Sequence, residues 1–98
     1  MARIIWTREA IRWLRDIHAY IAGDNPAAAF RVVSGIYEKI QLLRTHPRLG
    51  GRHESISDRE VGIVLFGHYR IAYLVKSEDQ IDILGIFHAA MEIERYLR

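Results

Sequence analysis

Residues 68–92 read HYRIAYLVKSEDQIDILGIFHAAME, and the alternation inside this stretch decides the fold. Tyr69, Ile71, Tyr73 and Val75 alternate with Arg70, Ala72 and Leu74, the period of two that a strand with one well-buried face imposes. Ser77, Glu78, Asp79 and Gln80 supply a polar loop of hairpin length. Beyond it, Ile81, Ile83, Gly85 and Phe87 alternate with Asp82, Leu84, Ile86 and His88. The middle of this second strand is apolar on both sides, the pattern of a central strand covered on both faces. Arg70 and His88 are the ionisable exceptions in an apolar hairpin, so they are the first candidates for chemistry.

Working outward, Arg59 to Phe66 reads as a preceding strand, with Gly62 marking a bulge, and Gly67-His68 turns it into the hairpin. After His88 the run AAMEIERYL favours a short helix, with Met91, Ile93 and Leu97 available to pack. Towards the other end, Arg3 to Trp6 is a short strand that joins one side of the sheet. Thr7 is placed to cap a helix over about residues 8–22. The apolar stripe of that helix is Ala10, Leu14, Ile17 and Ile21, widened by Trp13 and Tyr20. Gly23-Asp24-Asn25-Pro26 punctuates the chain: Gly23 closes the first helix in a left-handed conformation, and Asn25 or Asp24 caps the second, with Pro26 at its first position. The second helix runs to about Thr45 on a face of Phe30, Val33, Tyr37, Ile40 and Leu43. His46-Pro47 ends it, because the residue before proline avoids the helical region. Two amphipathic helices joined by so short a link form an antiparallel hairpin whose apolar face needs a cover.

The expected fold is therefore α+β: an N-terminal strand, an antiparallel two-helix hairpin packed on a mainly antiparallel four-stranded sheet, and a short C-terminal helix. The 98 residues make a single domain, 1–98, with one core. The absence of cysteine excludes disulfides, thiolate metal sites and a thiol nucleophile. No apolar run approaches the length of a membrane helix, and charged residues from Arg8 interrupt any signal-peptide core. The expectation is a cytoplasmic protein without cofactor or metal. A net charge of +2 is too small to argue direct, sequence-specific DNA binding. Yet among the 14 basic residues only Lys39 and Lys76 are lysine. Arginine's planar fork suits carboxylates and phosphates, so an acidic partner and a phosphate backbone both fit.

GDNPAAA between the helices, LLRTHPRLGGR after them, YRIAYLV and IDILGIFHAA together resemble the ParE/RelE superfamily of toxins from type II toxin–antitoxin systems. The resemblance is closer to the ParE branch, through Asn25-Pro26, Leu42 to Pro47, Gly51-Arg52, Tyr69-Arg70-Ile71 and His88 in the family's order. It implies a growth-inhibiting toxin, associated with plasmid stabilization, that is neutralised by an antitoxin whose C-terminal segment wraps it. ParE toxins poison DNA gyrase, whereas RelE relatives cut mRNA on the ribosome, and a shared fold does not choose between targets. Where many relatives place an arginine after the last-strand histidine, this chain has Ala90 and Met91. Arg95 is the candidate substitute from the next turn.

The gyrase reading needs no catalytic residues; its candidates for target contact are Arg52, Arg59, Arg70, His88 and Arg95. Ribonuclease chemistry needs an acid–base pair and cations for charge on phosphorus, which Arg59, Arg70 and His88 would supply, with His53 and Tyr96 as further possibilities. The structural alternatives are a His88 bonded to a backbone carbonyl and an Arg70 paired with Asp82 or Glu60. For the antitoxin, the candidates are Arg8, Arg12 and Arg15 on the first helix and Arg31 and Arg44 on the second as a basic rim. Trp13 and Tyr37 are the aromatic anchors. A solvated face for the arginines and core packing for the aromatics are the plainer readings.

Overall fold

A computed structural model describes residues 1–51, 59–91 and 94–97. Its elements are β1 (Arg3–Trp6), α1 (Arg8–Ala22), α2 (Pro26–Gln41), a 3₁₀ turn (Leu42–Arg44), β2 (Val61–Phe66), β3 (Tyr69–Ser77), β4 (Gln80–His88) and α3 (Glu94–Leu97). The four strands form one sheet in the order β1-β4-β3-β2, antiparallel except that β1 lies parallel to β4. The architecture is the expected α+β arrangement.

The caps explain where the helices begin. The Thr7 hydroxyl accepts from the Ala10 N–H at 3.2 Å and donates to the Ile83 carbonyl at 2.6 Å, so one side chain starts α1 and ties it to the central strand. Asn25 Oδ1 accepts from the Ala28 N–H at 3.1 Å, with Pro26 opening α2. Gly23, in contrast, closes α1 in a right-handed conformation (φ −60°), correcting the expected left-handed one. Its N–H reaches the Ala19 carbonyl and the next two amides reach Ile21, so the helix unwinds without a left-handed residue.

The two faces of the sheet carry different layers. On one, α1 and α2 cover a core of Ile36, Ile40, Leu43, Val64, Ile71, Tyr73, Ile81, Ile83 and Ile86 with smaller neighbours. On the other, Val61, Ala72 and Phe87 lie under Leu97, with Met91 packed beside them, so the C-terminal segment is the cover. Trp13 joins both clusters. It can do so because β1 pairs with β4 only as far as Ile83, which leaves the second half of β4 without a strand on that side.

Three expectations are corrected by packing. The buried residues of α2 are Ala29, Ile36 and Ile40, and Phe30 and Tyr37 point outward at 70% and 52% exposure. The true face is rotated by roughly a quarter turn from the expected one, sharing Ile40 and, just beyond α2, Leu43 with it. Tyr20, expected to widen the stripe of α1, is 86% exposed. Gly62 makes no bulge: it pairs regularly with Tyr73, and a Cβ there would lie 2.4 Å from the Tyr73 ring. The bulge falls instead at Leu84, since Ala72 pairs with Gly85 and Tyr73 with Ile83. Beyond Leu84 the alternation therefore inverts. Ile86 and His88 take the face of Ile83, and Phe87 goes to the opposite one. The β3–β4 loop is also tighter than four residues, because Ser77 pairs with Gln80 and leaves Glu78-Asp79 as the turn.

Candidate functional site

The bulge decides where the candidate residues sit. His88 pairs with Tyr69, whose side chain packs on the helical face, while Arg70 pairs with Phe87 on the other. Directly paired residues point to the same side, so His88 and Arg70 are on opposite sides of the sheet. His88 is exposed, and its Nδ1 accepts from the Ala90 N–H at 3.3 Å. The expected bond to a carbonyl is thus replaced by one from an amide, which leaves the ring proton on Nε2. The His68 ring lies 6.2 Å away and nearly parallel, and the Tyr69 ring meets it edge-on at 6.0 Å.

Arg70 and Arg59 share a different task. Arg70 Nη2 donates to the Met91 carbonyl and Arg59 Nη2 to the Leu97 carbonyl, so both fasten the C-terminal segment across the sheet. The ion pair expected for Arg70 is not formed with either named carboxylate. Asp82 accepts from Gln80 at 2.9 Å and faces Lys76 at 4.0 Å, and Glu60 pairs with Arg48 at 2.8 Å. The Arg70 Nε is buried without a hydrogen-bond partner. Arg95 stands in α3 and is held by interactions of its own. Arg52 and His53 lie outside the described residues.

Between α1 and the C-terminal segment runs a groove of about 680 Å³. Its floor is aromatic: Trp13 meets Phe87 at 4.8 Å and Tyr96 at 5.4 Å, both edge-on, and Phe87 lies 5.4 Å from Tyr96. Glu9, Asp16, Arg12 and Arg59 line its walls, a balanced set of charges. Phe87 escaped notice as a site residue because unbroken alternation would have buried it under the helices. Only the bulge turns it into the groove.

The antitoxin candidates are spread over the outer surface of the helical hairpin. Arg8, Arg12, Arg15, Arg31 and Arg44 are all exposed, Trp13 is half-buried in the groove, and Tyr37 is exposed on α2. Sequence reasoning missed Tyr20 and Phe30 as surface residues. Both are large aromatics facing solvent on the same hairpin, a position more telling than a lone exposed apolar residue. No group of three or more histidine or acidic side chains among the described residues could hold a metal ion. No described helix is long and apolar enough to cross a membrane.

On the helical edge of β2, Tyr73 holds the loop after the 3₁₀ turn. Its hydroxyl accepts from the Gly50 N–H at 3.0 Å, and burial pushes its pKa above the ordinary phenol value, an effect that the Gly50 bond opposes.

The order of elements, a helical hairpin on one face of a four-stranded mixed sheet and a C-terminal cover on the other, is that of a known class of small toxins. A chain of the chromosomal ParDE toxin–antitoxin system from P. aeruginosa has the same fold, with a TM-score of 0.71 over 90% of this chain and 96% of that one, at 24% identity. The toxin candidate Y4kP of Sinorhizobium fredii is 37% identical over 87 residues, 89% of this chain and 88% of the relative. Residues 4–93 match the family model of the ParE toxin of the type II toxin–antitoxin system parDE. The chain belongs to this ParE toxin family, and an antitoxin is the partner that membership implies.

Proposed function

We propose that this toxin inhibits growth by binding DNA gyrase and trapping its cleaved-DNA complex, and that a cognate antitoxin neutralises it in the cytoplasm. The observation that favours binding over RNA cleavage is the separation of Arg70 from His88 across the sheet. In-line attack by a ribose hydroxyl needs acid, base and cation converging on one phosphate, within hydrogen-bond reach. Here the arginines on the far side of the sheet serve the C-terminal backbone, and the histidine stands apart with His68 and Tyr69. Arg59, Arg70, His88 and Arg95 then act as contact residues or as supports for the contact surface.

Two assays on purified protein separate the readings. Gyrase supercoiling is expected to fall while double-strand breaks accumulate, with mRNA intact on programmed ribosomes. Cleaved mRNA with unaffected gyrase overturns the proposal. Substituting His88 by Ala sharpens the distinction. Loss of a general acid–base group costs about 10²–10⁴-fold in rate, whereas an exposed contact residue shifts gyrase inhibition by a few-fold.

For the antitoxin, Tyr20, Phe30 and Tyr37 with the arginines of α1 and α2 provide exposed apolar anchors within a basic surround, the combination that receives an amphipathic acidic segment. Alanine at Phe30 and Tyr37 together is expected to weaken the complex at least tenfold in calorimetric titration. Unchanged affinity would remove the outer face of α2 from the interface.

A further inference from the structure

The two edges of the sheet are treated differently. At β2, Gly50 of the preceding loop is pressed against the strand so closely that a Cβ on it would lie 2.3 Å from the Ile63 carbonyl oxygen. The Tyr73 hydroxyl bond and the Arg48–Glu60 ion pair hold that loop in place. At β1 there is no such cover among the described residues. In the parallel ladder, Arg3 and Thr7 direct their N–H groups to the carbonyls of Asp79 and Ile83, which sets Arg3, Ile5 and Thr7 towards β4. The amides and carbonyls of Ile4 and Trp6 therefore point away from the sheet, and no described residue bonds to them. Only at Ala2, whose N–H donates to the Arg44 carbonyl at 3.0 Å, is the outward side of this strand closed.

Resting on the antitoxin reading above, we infer that the outward edge of β1 from Ile4 to Trp6 is a strand-addition site for an extended acidic segment of the antitoxin. Unpaired edge groups are templates for a further strand, and main-chain bonds to such an edge are a recognised source of affinity. The charge around the edge selects the occupant. Arg3 and Arg8 flank the strand in sequence, and the Arg44 backbone closes its N-terminal end. Arg8 and Arg44 are exposed and take no side-chain partner among the described residues, while Arg3 spends one nitrogen on Gln80 Oε1 at 3.3 Å. Glu78 and Asp79, in the turn beside Arg3, are the opposing charges; they place the acidic part of the segment towards Trp6 and Arg8. Ile4 and Trp6 both pack on the helical face, so alternate residues of the added strand would extend that face, next to the antitoxin surface on the hairpin.

Amide hydrogen exchange by NMR, on the intact chain with and without full-length antitoxin, tests this directly. The Ile5 and Thr7 amides, bonded within the sheet, are the internal control and stay protected in both states. The Ile4 and Trp6 amides are expected to exchange freely in the toxin alone and to slow at least 100-fold in the complex. A complex in which they exchange as in the free toxin overturns the inference while leaving the antitoxin reading intact. Failure to form any complex overturns both. Protection already present in the free toxin, lost on dilution, would show a second copy on this edge and likewise overturn the assignment. As a second measurement, Ile4→Pro removes an outward donor without touching the ladder to β4. If folded, it should bind antitoxin at least tenfold more weakly, and binding within twofold of the parent chain overturns the proposal.

Discussion

The two faces of the sheet differ in what covers them, and that difference organises the molecule. The helical face is closed by thirty-odd residues of hairpin whose apolar stripes interlock with five isoleucines and Tyr73, so its core is continuous. The opposite face carries Val61, Ala72 and Phe87 under a single short segment, fastened by two arginine-to-carbonyl bonds and bordered by an open groove. The first face is where stability resides. The second, together with the outward surface of the hairpin, is where partners can be met, because a thin cover and an open groove leave apolar surface within reach of solvent.

Ile40→Ala should produce the largest loss, about 4 kcal/mol in urea unfolding, since the residue is fully buried in a close-packed layer that cannot collapse around the void. Phe87→Ala should cost about 3 kcal/mol, the low end for a buried phenylalanine, because Trp13 and Tyr96 have the groove into which to relax. If Phe87 proves as costly as Ile40 or more so, the opposite face is as tightly packed as the helical one and the comparison fails.

Tyr73→Phe comes next, at about 1 kcal/mol near neutral pH, from the lost bond to Gly50. The sign of its pH dependence follows from burial. The folded pKa is raised above the ordinary value of 10.0, so the native state holds the phenol proton more tightly than the unfolded chain. The contribution is complete below that ordinary value and is lost as pH rises from it through the folded value. Urea midpoints measured from neutral pH into this alkaline range should therefore fall for the parent and fall less for Tyr73→Phe. Parallel slopes would mean that Tyr73 ionises as freely folded as unfolded.

Tyr20→Ala and Phe30→Ala should have the smallest effect on folding, within about 0.5 kcal/mol by thermal unfolding, since neither side chain is part of a core cluster. A greater loss would place these aromatics in the packing of the hairpin and withdraw them from the antitoxin surface.

Much of this was legible in the residues. Thr7 and Asn25-Pro26 cap the helices as their chemistry requires, and the alternation of β3 survives unchanged, with Tyr69, Ile71, Tyr73 and Val75 all on the helical face. The face of α2 was misread because Phe30 and Tyr37 are large apolar residues at helical spacing, and periodicity cannot tell a core stripe from a binding stripe. Ala29 and Gly35, which carry little hydrophobic signal, mark the buried side. Gly35 lies so close to Phe66 that a Cβ would come within 2.1 Å of the ring.

The candidate site was legible only as a set of residue types. Arg59, Arg70 and His88 are the ionisable residues that stand out near the apolar hairpin, and nothing local to them reveals that one extra residue at Leu84 sends His88 to one side and Phe87 to the other. The sequence by itself determined the elements, their order, the helix caps and the family, because capping, alternation and turn chemistry act over a few neighbouring residues. Only the tertiary structure decided which side of α2 is buried, where the bulge falls, which sheet edge is covered and what the arginines hold. Those outcomes depend on volumes and hydrogen-bond partners brought together from distant parts of the chain.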